Sequence, residues 1–261
     1  MKEKWRLIEF EFHPGRYNMA ADESILRAQI AGLAPPTLRF YGWRRPAVSL
    51  GRFQSASRVV RPDLAERLGV DVVRRPTGGK AILHHEEEVT FSIAVSEQRL
   101  GTRGVMEAYA RLAEGIVAGL EALGLEARLV VASPPGLRQA DSRAESPRAG
   151  NPACFAVKAG CDLMVEGKKL VGSAQVHRRG FLLQQNSLPL RLGWERGRQV
   201  FLGLAESPPE ATDLWTAAGR TIPHLEVAQA LAEGFARKLG VELKPDDLTE
   251  PELATLSELG G

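Results

Sequence analysis

Hydrophobic and polar residues alternate at the start of the chain, as they do in strands with one buried face. Residues 5–12 (WRLIEFEF) follow this period of two and predict a strand. Residues 17–32 then place apolar side chains at helical spacing, with acids in the first turn and Asn18 as the predicted N-cap. The pattern therefore predicts a strand followed by a helix.

Short β-rich segments continue until a long amphipathic helix begins. Short strands are predicted for residues 37–43, 47–53, 70–76 and 88–95. A short helix is predicted for 61–69. In the last of these strands, alternation places Val89, Phe91 and Ile93 on one face. Residues 104–126 carry the longest amphipathic pattern of the chain and predict a helix.

About twenty residues without periodicity follow a predicted strand at 127–132. This segment, 133–152, reads SPPGLRQADSRAESPRAGNP. Compact domains seldom contain structureless loops longer than roughly 12 to 15 residues unless the loop is functional or disordered. Because strand patterns continue on both sides, we predict a mobile loop here rather than a linker between domains.

The chain after this loop predicts strands and then helices. Three strands are expected between residues 161 and 190, the first two joined by a tight turn at Glu166 and Gly167. The remaining portion, 192–261, is predicted to be helical. The whole pattern predicts an α+β fold with mixed, largely antiparallel sheets and packed helices, in a single domain spanning residues 1–261.

The composition bounds the class of protein. The chain has 261 residues, of which 44% are hydrophobic and 25% charged, as in globular proteins. Its 34 Lys and Arg are spread along the chain, which argues against a dedicated nucleic-acid surface but leaves room for a local basic face that an acidic protein could contact. No signal peptide or membrane helix is indicated, and two cysteines do not make a disulfide framework. A cytoplasmic protein with reduced thiols is expected.

A glycine pair flanked by cations follows the strand at 70–76. The segment RRPTGGK spans residues 74–80. Glycine lets the backbone approach a ligand, and exposed amides beside Arg and Lys suit a phosphate or a carboxylate. The segment is neither a Walker A loop nor a dinucleotide fingerprint. A hairpin turn with solvated cations explains the residues equally well at this point.

The segment LHHEEEV at 83–89 raises a metal hypothesis. In a strand, His84 and His85 point to opposite faces, and no H-E-x-x-H spacing is present. The pattern therefore favours a polar strand edge over a zinc site.

Two lysines and a cysteine are candidates for chemistry. Strict alternation groups Lys169 with Val171 and Ser173, although lysines near a hairpin turn are commonly solvated. Cys154 follows the aperiodic loop and is either a small buried hydrophobe or a nucleophile. A thiol of pKa about 8.5 is mostly protonated at neutral pH, so a nucleophile needs a nearby cation or aligned amides. Lys169, Lys80 and His84 are the candidate partners.

Taken together, four segments resemble successive motifs of the lipoate and biotin protein ligase superfamily, in its lipoyl-attachment branch. These segments are NMAADESIL, LRFYGWRRPAVSLGRFQ, VVRRPTGGKAILHHEEEVTFSI and VEGKKLVGSAQVHRRGFLLQQNSL. They occur in the family's order and span roughly residues 17–190. Several motifs in register are far more specific than any one of them.

Within this branch, three features resemble the cysteine-dependent octanoyltransferases more than the ATP-using lipoate-protein ligases. Lys80 stands where the ligases typically have a third glycine. The segment around Cys154 is similar to the one that carries the transferases' nucleophile. The sequence also ends without a segment expected to form the additional C-terminal domain that many ligases have, although some ligases carry that domain as a separate protein. A related octanoyl amidotransferase also uses a cysteine and stays an alternative, as does a lipoyl-domain binding protein without activity.

The resemblance implies roles for particular residues. Cys154 is the expected nucleophile, and Lys169 the expected cation that faces the acyl carbonyl. The implied substrate-binding residues are Arg75, Thr77, Gly78, Gly79, Lys80, His84, Gly172, Ser173 and Ala174. The family usually has His-Asp where this chain has His84 and His85, so the second position departs from the pattern.

The resemblance also implies substrates. The expected donor is octanoyl-acyl carrier protein, with Arg75 facing its phosphopantetheine or acidic surface. The expected acceptor is a lipoyl domain, such as glycine-cleavage H protein or a dehydrogenase E2. No metal or cofactor is implied, and ATP and Mg would be needed only by a ligase. For the acyl chain, an apolar tunnel lined by Val89, Phe91, Ile93 and the strand at 129–132 is expected.

Overall fold

The computed structural model describes residues 2–131, 161–203 and 210–261. The predicted loop at 133–152 and Cys154 lie outside these residues. The strands of the described chain are β1 (Glu3–His13), β2 (Thr37–Trp43), β3 (Ala47–Leu50), β4 (Asp71–Arg74), β5 (Ile82–His84), β6 (Glu88–Ser96), β7 (Ala127–Val131), β8 (Cys161–Val165), β9 (Lys168–Arg178), β10 (Phe181–Pro189) and β11 (Val241–Pro245). The helices are α1 (Gly15–Ile30), α2 (Pro62–Arg67), α3 (Glu97–Leu100), α4 (Val105–Ala122), α5 (Trp194–Val200), α6 (Leu214–Ala218), α7 (His224–Leu239) and α8 (Glu250–Glu258), with a 3-10 turn at Ala56–Arg58.

The strands form two sheets. An eight-stranded sheet has the order β11-β1-β2-β6-β10-β9-β8-β7, and a three-stranded sheet has the order β4-β3-β5. Most neighbouring pairs are antiparallel, while β1 pairs in parallel with both β2 and β11 and β3 in parallel with β4. The predicted α+β class with mixed, largely antiparallel sheets is confirmed.

The main hydrophobic core lies on one face of the large sheet, under α4 and α7. Val89, Phe91 and Ile93 all point into it, as alternation along β6 predicts. Phe235 of α7 packs edge-on against Phe91, with ring centroids 6.0 Å apart. α4 is amphipathic because its apolar face is buried in this core and its polar face is not.

The other face of the large sheet carries buried polar side chains and packs against α1 and the small sheet. We call this set the polar layer. It consists of Arg39, Tyr41, Trp43, Glu88, Thr90, Ser92, Gln185 and Ser187, all of which are buried. The cross-strand register places these residues opposite one another on β2, β6 and β10. Because buried polar groups need partners, this layer is where hydrogen bonds must be sought.

Two predictions of local structure are wrong. α1 begins at Gly15 after Pro14, so Asn18 lies inside the helix and is not its N-cap. Its side chain instead donates to the Gly42 carbonyl at 3.0 Å and accepts from Arg39 at 2.7 Å. The C-terminal portion is also not wholly helical, because β11 extends the large sheet beside β1.

Candidate active site

The polar layer and the small sheet enclose a small cavity. Its volume is about 20 Å³, which is room for about one water molecule. Among the residues that line it are Ser49 of β3, Arg75, Ala174 of β9, Gln185 and Ser187 of β10. The cavity brings together the predicted glycine segment and the predicted strand motif around Ala174.

The glycine segment forms a loop whose conformation requires glycine at residue 79. Gly79 has a φ of 85°, and a Cβ there would lie 3.0 Å from Arg75 Nη2 and 3.9 Å from the Ala174 Cβ. A Cβ at Gly78 would meet no atom within 4 Å. The loop is thus fixed at Gly79 and leaves open space at Gly78.

Arg75 holds this loop from inside. The residue is only 3% exposed, and its guanidinium donates to the Gly78 carbonyl at 2.6 Å and to the Lys80 carbonyl at 2.7 Å. It also donates to the Ser49 carbonyl at 2.9 Å and to Thr77 Oγ1 at 3.1 Å. This geometry favours a role in shaping the loop over direct contact with an acidic carrier surface, because the planar fork faces protein acceptors.

Gly51 is a site residue that the sequence analysis missed. A Cβ at this position would lie 1.9 Å from the Gly79 carbonyl oxygen, far inside van der Waals contact. The next residue, Arg52, donates its backbone N–H to the Thr77 carbonyl at 2.9 Å. The segment after β3 therefore packs directly on the glycine loop. The SLGRFQ stretch belonged to the quoted motif, and its glycine was the available signal.

A carboxylate of α1 links the polar layer to the same loop. Asp22 accepts from Arg39 at 2.9 Å, Ser92 at 2.7 Å, Tyr41 at 2.8 Å and Gln185 at 2.7 Å. Gln185 in turn accepts from Thr77 Oγ1 at 2.8 Å. The loop is therefore tied to the sheet through Thr77 and Gln185.

Tyr41 is held in its protonated form within this network. Burial raises the pKa of its hydroxyl well above the usual range, and the negative charge of Asp22 raises it further. The hydroxyl is therefore a hydrogen-bond donor to Asp22 at neutral pH.

His84 ends β5, which is an edge strand of the small sheet as predicted, but its side chain is buried and hydrogen-bonded on both ring nitrogens. Its Nε2 lies 2.7 Å from Ser49 Oγ and its Nδ1 lies 2.8 Å from Glu88 Oε1. Since Arg75 donates to Ser49 Oγ at 3.2 Å, the serine proton is available to Nε2, and Nδ1–H then donates to Glu88. Trp43 stacks on the ring at 3.9 Å.

Glu88 completes this chain of hydrogen bonds. Burial would raise the pKa of its carboxyl, but the electrostatic interaction and hydrogen bond with His84 and the hydrogen bond from Thr90 outweigh burial, so the pKa lies below its usual value. His85 is buried too, and its ring lies against Gly193. Among residues 2–131, 161–203 and 210–261, no group of three His, Cys, Asp or Glu could hold a metal ion.

Lys169 lies on a different face of β9 from the one that strict alternation predicts. The pairing of β8 with β9 shifts register, because Leu163 pairs with Val171 but Met164 pairs with Lys169. One extra residue in β9 reverses the alternation at this point. Lys169 therefore shares the face of Met164 and not that of Val171.

This reversal places Lys169 on the face of β9 that carries Gly172 and Ala174. Ser173 points the other way and donates to Asn186 at 2.8 Å. The grouping of Lys169 with Val171 and Ser173 is thus wrong. The face that holds the cavity carries Lys169, Gly172 and Ala174.

Lys169 is 2% exposed and forms a buried ion pair. Its Nζ lies 2.7 Å from Asp162 Oδ1, and the Asp162 side chain is 5% exposed. The strand β8 thus supplies the counter-ion. Asp162 is the second functional candidate that the sequence analysis missed.

The apolar residues predicted to line an acyl tunnel are not near the cavity. Val89, Phe91 and Ile93 are in the main core on the opposite face of the large sheet, where they pack against helices. Leu129 packs at the edge of that core, and Val130 is about half exposed. The tunnel assignment is wrong, because alternation separates these residues from the polar layer.

The chain matches known proteins over most of its length. Residues 14–236 match the family model described as the lipoyl protein ligase A/B catalytic domain. An octanoyltransferase of the LipM type from Symbiobacterium thermophilum is 41% identical over 97% of this chain and 92% of its own.

Solved structures agree with this match. A lipoate-protein ligase A bound with ATP has a TM-score of 0.79 at 25% identity and covers 99% of this chain and 94% of its own. A bipartite lipoate protein ligase from Thermoplasma acidophilum, studied with its E2 lipoyl domain, has a TM-score of 0.76 at 26% identity, over 98% of this chain and 92% of its own.

The chain therefore belongs to the lipoyl protein ligase A/B catalytic domain family. Its similarity to octanoyltransferases over nearly its full length identifies it as an acyltransferase. In the part of the chain that the structure describes, no helix is long and apolar enough to cross a membrane.

Proposed function

We propose that this protein transfers an octanoyl group from octanoyl-acyl carrier protein to the acceptor lysine of a lipoyl domain, through an acyl-enzyme on Cys154. The protein is an octanoyltransferase of lipoate biosynthesis. The observation that carries the proposal is a buried lysine, Lys169, on the same face of β9 as Ala174, which itself lies close to Gly79 of the glycine loop. Such a cation suits the stabilisation of an oxyanion in a site without a metal.

In the first proposed step, the Cys154 thiolate attacks the carbonyl carbon of the octanoyl thioester. The carbonyl π electrons move to the oxygen and return as the carbon–sulfur bond to the carrier breaks, which releases the carrier as a thiol after protonation. In the second step, the acceptor amine attacks the new thioester, the carbon–sulfur bond to Cys154 breaks as the amide bond forms, and the proton lost by the nitrogen returns Cys154 to a thiol. Two steps suit two protein substrates that cannot occupy one site together.

Lys169 has two proposed roles in both steps. Its positive charge favours the thiolate of Cys154 and stabilises the oxyanion at the carbonyl. The ion pair with Asp162 holds the ammonium in one direction, which lowers the reorganisation needed during the reaction. Removal of one such donor typically costs about 100- to 1000-fold in rate.

The glycine loop is the proposed wall of the acyl site. Gly78 leaves space beside the backbone, while Gly79 and Arg75 fix the loop over Ala174. Beside the loop, Arg52 and Phe53 are exposed, and Phe53 is 88% exposed. This exposed edge is the proposed contact for the acidic carrier protein, since it combines a cation with an apolar side chain.

The proposed reaction uses no ATP and no metal, and it takes place in the cytoplasm. The acceptor is a lipoyl domain of the kind found in glycine-cleavage H protein or a dehydrogenase E2.

Intact-protein mass spectrometry tests the proposal. Wild type incubated with octanoyl-acyl carrier protein should gain one octanoyl group, and addition of a lipoyl domain should move that group to the domain. Cys154→Ala should gain none, whereas Cys161→Ala serves as the matched thiol control and should still be acylated. A wild type that is never acylated contradicts the proposal.

Two further measurements separate the alternatives. ATP-dependent attachment of free octanoate or lipoate to the lipoyl domain would identify a ligase. Transfer only from an octanoylated lipoyl domain to a second lipoyl domain would identify an amidotransferase. Binding of a lipoyl domain without either reaction would leave a non-catalytic role.

A further inference from the structure

One hydroxyl of the polar layer has no hydrogen-bond partner. Every other side chain of that layer makes at least one hydrogen bond, whereas Ser187 Oγ makes none to the residues that the structure describes. Ser187 is 2% exposed. An unsatisfied buried hydroxyl destabilises the folded protein. Such a group in a well-paired layer calls for a functional explanation.

The position of Ser187 directs its hydroxyl to the cavity. In β10 it stands opposite Gly172 of β9 on one side and Thr90 of β6 on the other. Because residue 172 is glycine, no side chain of β9 covers the serine from that side. Ser187 lines the cavity together with Arg75 and Ala174.

Ser187 and Lys169 lie on the same face of the large sheet. Cross-strand neighbours point to the same face of a sheet, so Ser187 shares the face of Gly172. The register shift in β9 places Lys169 on that face as well. A neutral donor and a cation therefore lie on the same face of two adjacent strands.

The other hydroxyls that line the cavity are already in use. Tyr41 donates to Asp22 and Thr90 donates to Glu88. Ser49 Oγ lies 2.7 Å from His84 Nε2 and accepts from Arg75 at 3.2 Å. Its proton is committed to the imidazole in the arrangement derived above. Among the hydroxyls that line this cavity, Ser187 is thus the one that does not already donate to another described residue.

The chemistry of an acyl thioester defines what Ser187 can bind. An octanoyl chain is hydrocarbon apart from its carbonyl, so the carbonyl oxygen is the one strong acceptor that enters an acyl site. That oxygen gains negative charge when the thiolate adds to the carbonyl carbon, and hydrogen bonds to charged acceptors are roughly twice as strong as neutral ones.

The geometry points to Ser187 as a second oxyanion donor. Its Oγ–H donates to the carbonyl oxygen of the octanoyl thioester, and the bond strengthens as the tetrahedral intermediate forms. Lys169 supplies the charge and Ser187 the directional hydrogen bond. This inference rests on the proposed function, because it needs the carbonyl oxygen of an acyl group in the cavity.

The test compares Ser187→Ala with wild type in the rate of octanoyl-adduct formation and in unfolding by urea. We expect the limiting acylation rate to fall about 100- to 1000-fold, with a small change in the half-saturating carrier concentration. We expect the free energy of unfolding to stay unchanged or to rise, because the lost hydroxyl had no partner. A residue with a purely structural role would show the reverse pattern.

Thr102→Val is the matched control. Thr102 is also buried, and its Oγ1 has no hydrogen-bond partner among the described residues. It lies beyond the end of β6, near Phe181 at the start of β10. Phe181 is six residues before Ser187 on this strand, a distance of roughly 20 Å. Its variant should keep the wild-type acylation rate and stability.

Each outcome is decisive. If wild type and Ser187→Ala are acylated at the same limiting rate, the role of Ser187 is overturned but the proposed function is not. The same holds if only the half-saturating carrier concentration changes. A wild type that is not acylated overturns both the proposed function and this inference.

Discussion

Lys169 and Asp162 form an ion pair on adjacent strands, with 2.7 Å between Nζ and Oδ1 and almost no exposure of either side chain. Two buried charges of opposite sign stabilise each other, but each is costly when its partner is removed. The carboxylate therefore does two things at once. It supplies the opposite charge beside the buried lysine, and it sets the direction in which the ammonium points.

The first prediction concerns the loss of this carboxylate. Asp162→Ala leaves Lys169 as an uncompensated buried charge, so we expect the free energy of unfolding to fall by about 3 to 5 kcal/mol in urea titrations. The double variant Asp162→Ala, Lys169→Met should recover most of that loss without recovering acylation. A double variant no more stable than Asp162→Ala would contradict this account of the pair.

The second prediction concerns the guanidinium of Arg75. Arg75→Lys keeps the charge but cannot reach the Gly78, Lys80 and Ser49 carbonyls together, so the glycine loop should loosen. We expect a rise in the half-saturating concentration of octanoyl-acyl carrier protein and a lower Tm.

Arg74→Lys is the comparison for this experiment. Arg74 reaches the Gly51, Arg52 and Gln54 carbonyls through Nη1 alone, which a lysine ammonium can imitate. The Tm of Arg74→Lys should therefore fall less than the Tm of Arg75→Lys. Equal effects of the two variants would argue against the role assigned to the Arg75 fork.

The third prediction concerns the packing of Gly51 on the glycine loop. A methyl group at residue 51 would lie 1.9 Å from the Gly79 carbonyl oxygen, and both are backbone positions that cannot rotate away. Gly51→Ala should therefore displace the loop, reduce acylation strongly and lower Tm. Gly78→Ala has open space and should leave Tm unchanged while it obstructs the acyl donor. Equal Tm values for the two variants would contradict the packing argument.

The spacing of hydrophobic residues predicted most strands and helices, because the large sheet has one apolar face under α4 and α7. This spacing could not predict on which face of the sheet the Lys169 side chain lies. The register shift at Leu163 and Met164 depends on how β8 pairs with β9, and residues 210–212 also hydrogen-bond to the backbone of Lys169 from about forty positions away. A single extra residue reversed the alternation that the sequence analysis applied.

The polar layer was missed for a related reason. Glu88, Thr90 and Ser92 alternate with Val89, Phe91 and Ile93, and such a pattern is typical of a strand with a solvated face. The second face is instead covered by α1 and the small sheet, so its polar residues are buried and paired. β11 was missed because its five residues stand between two strong helical patterns, and its pairing with β1 joins the two ends of the chain.

The fourth prediction concerns the acid dependence of stability at Glu88. The folded state holds the pKa of this carboxyl below its usual 4.5, since His84 and Thr90 favour the charged form more than burial disfavours it. A carboxyl with a lowered pKa stabilises the fold above the unfolded pKa, and that contribution is lost as the pH falls through the folded pKa. In urea titrations, the free energy of unfolding of wild type should exceed that of Glu88→Gln by a constant amount from neutral pH down to about pH 5. This difference in the free energy of unfolding should become smaller below pH 4.5. Glu233→Gln, an exposed change on α7, should shift stability by no more than about 0.5 kcal/mol. A margin for Glu88→Gln that widened as the pH fell would mean that the folded state raises this pKa, and it would overturn the arrangement in which Glu88 accepts from His84.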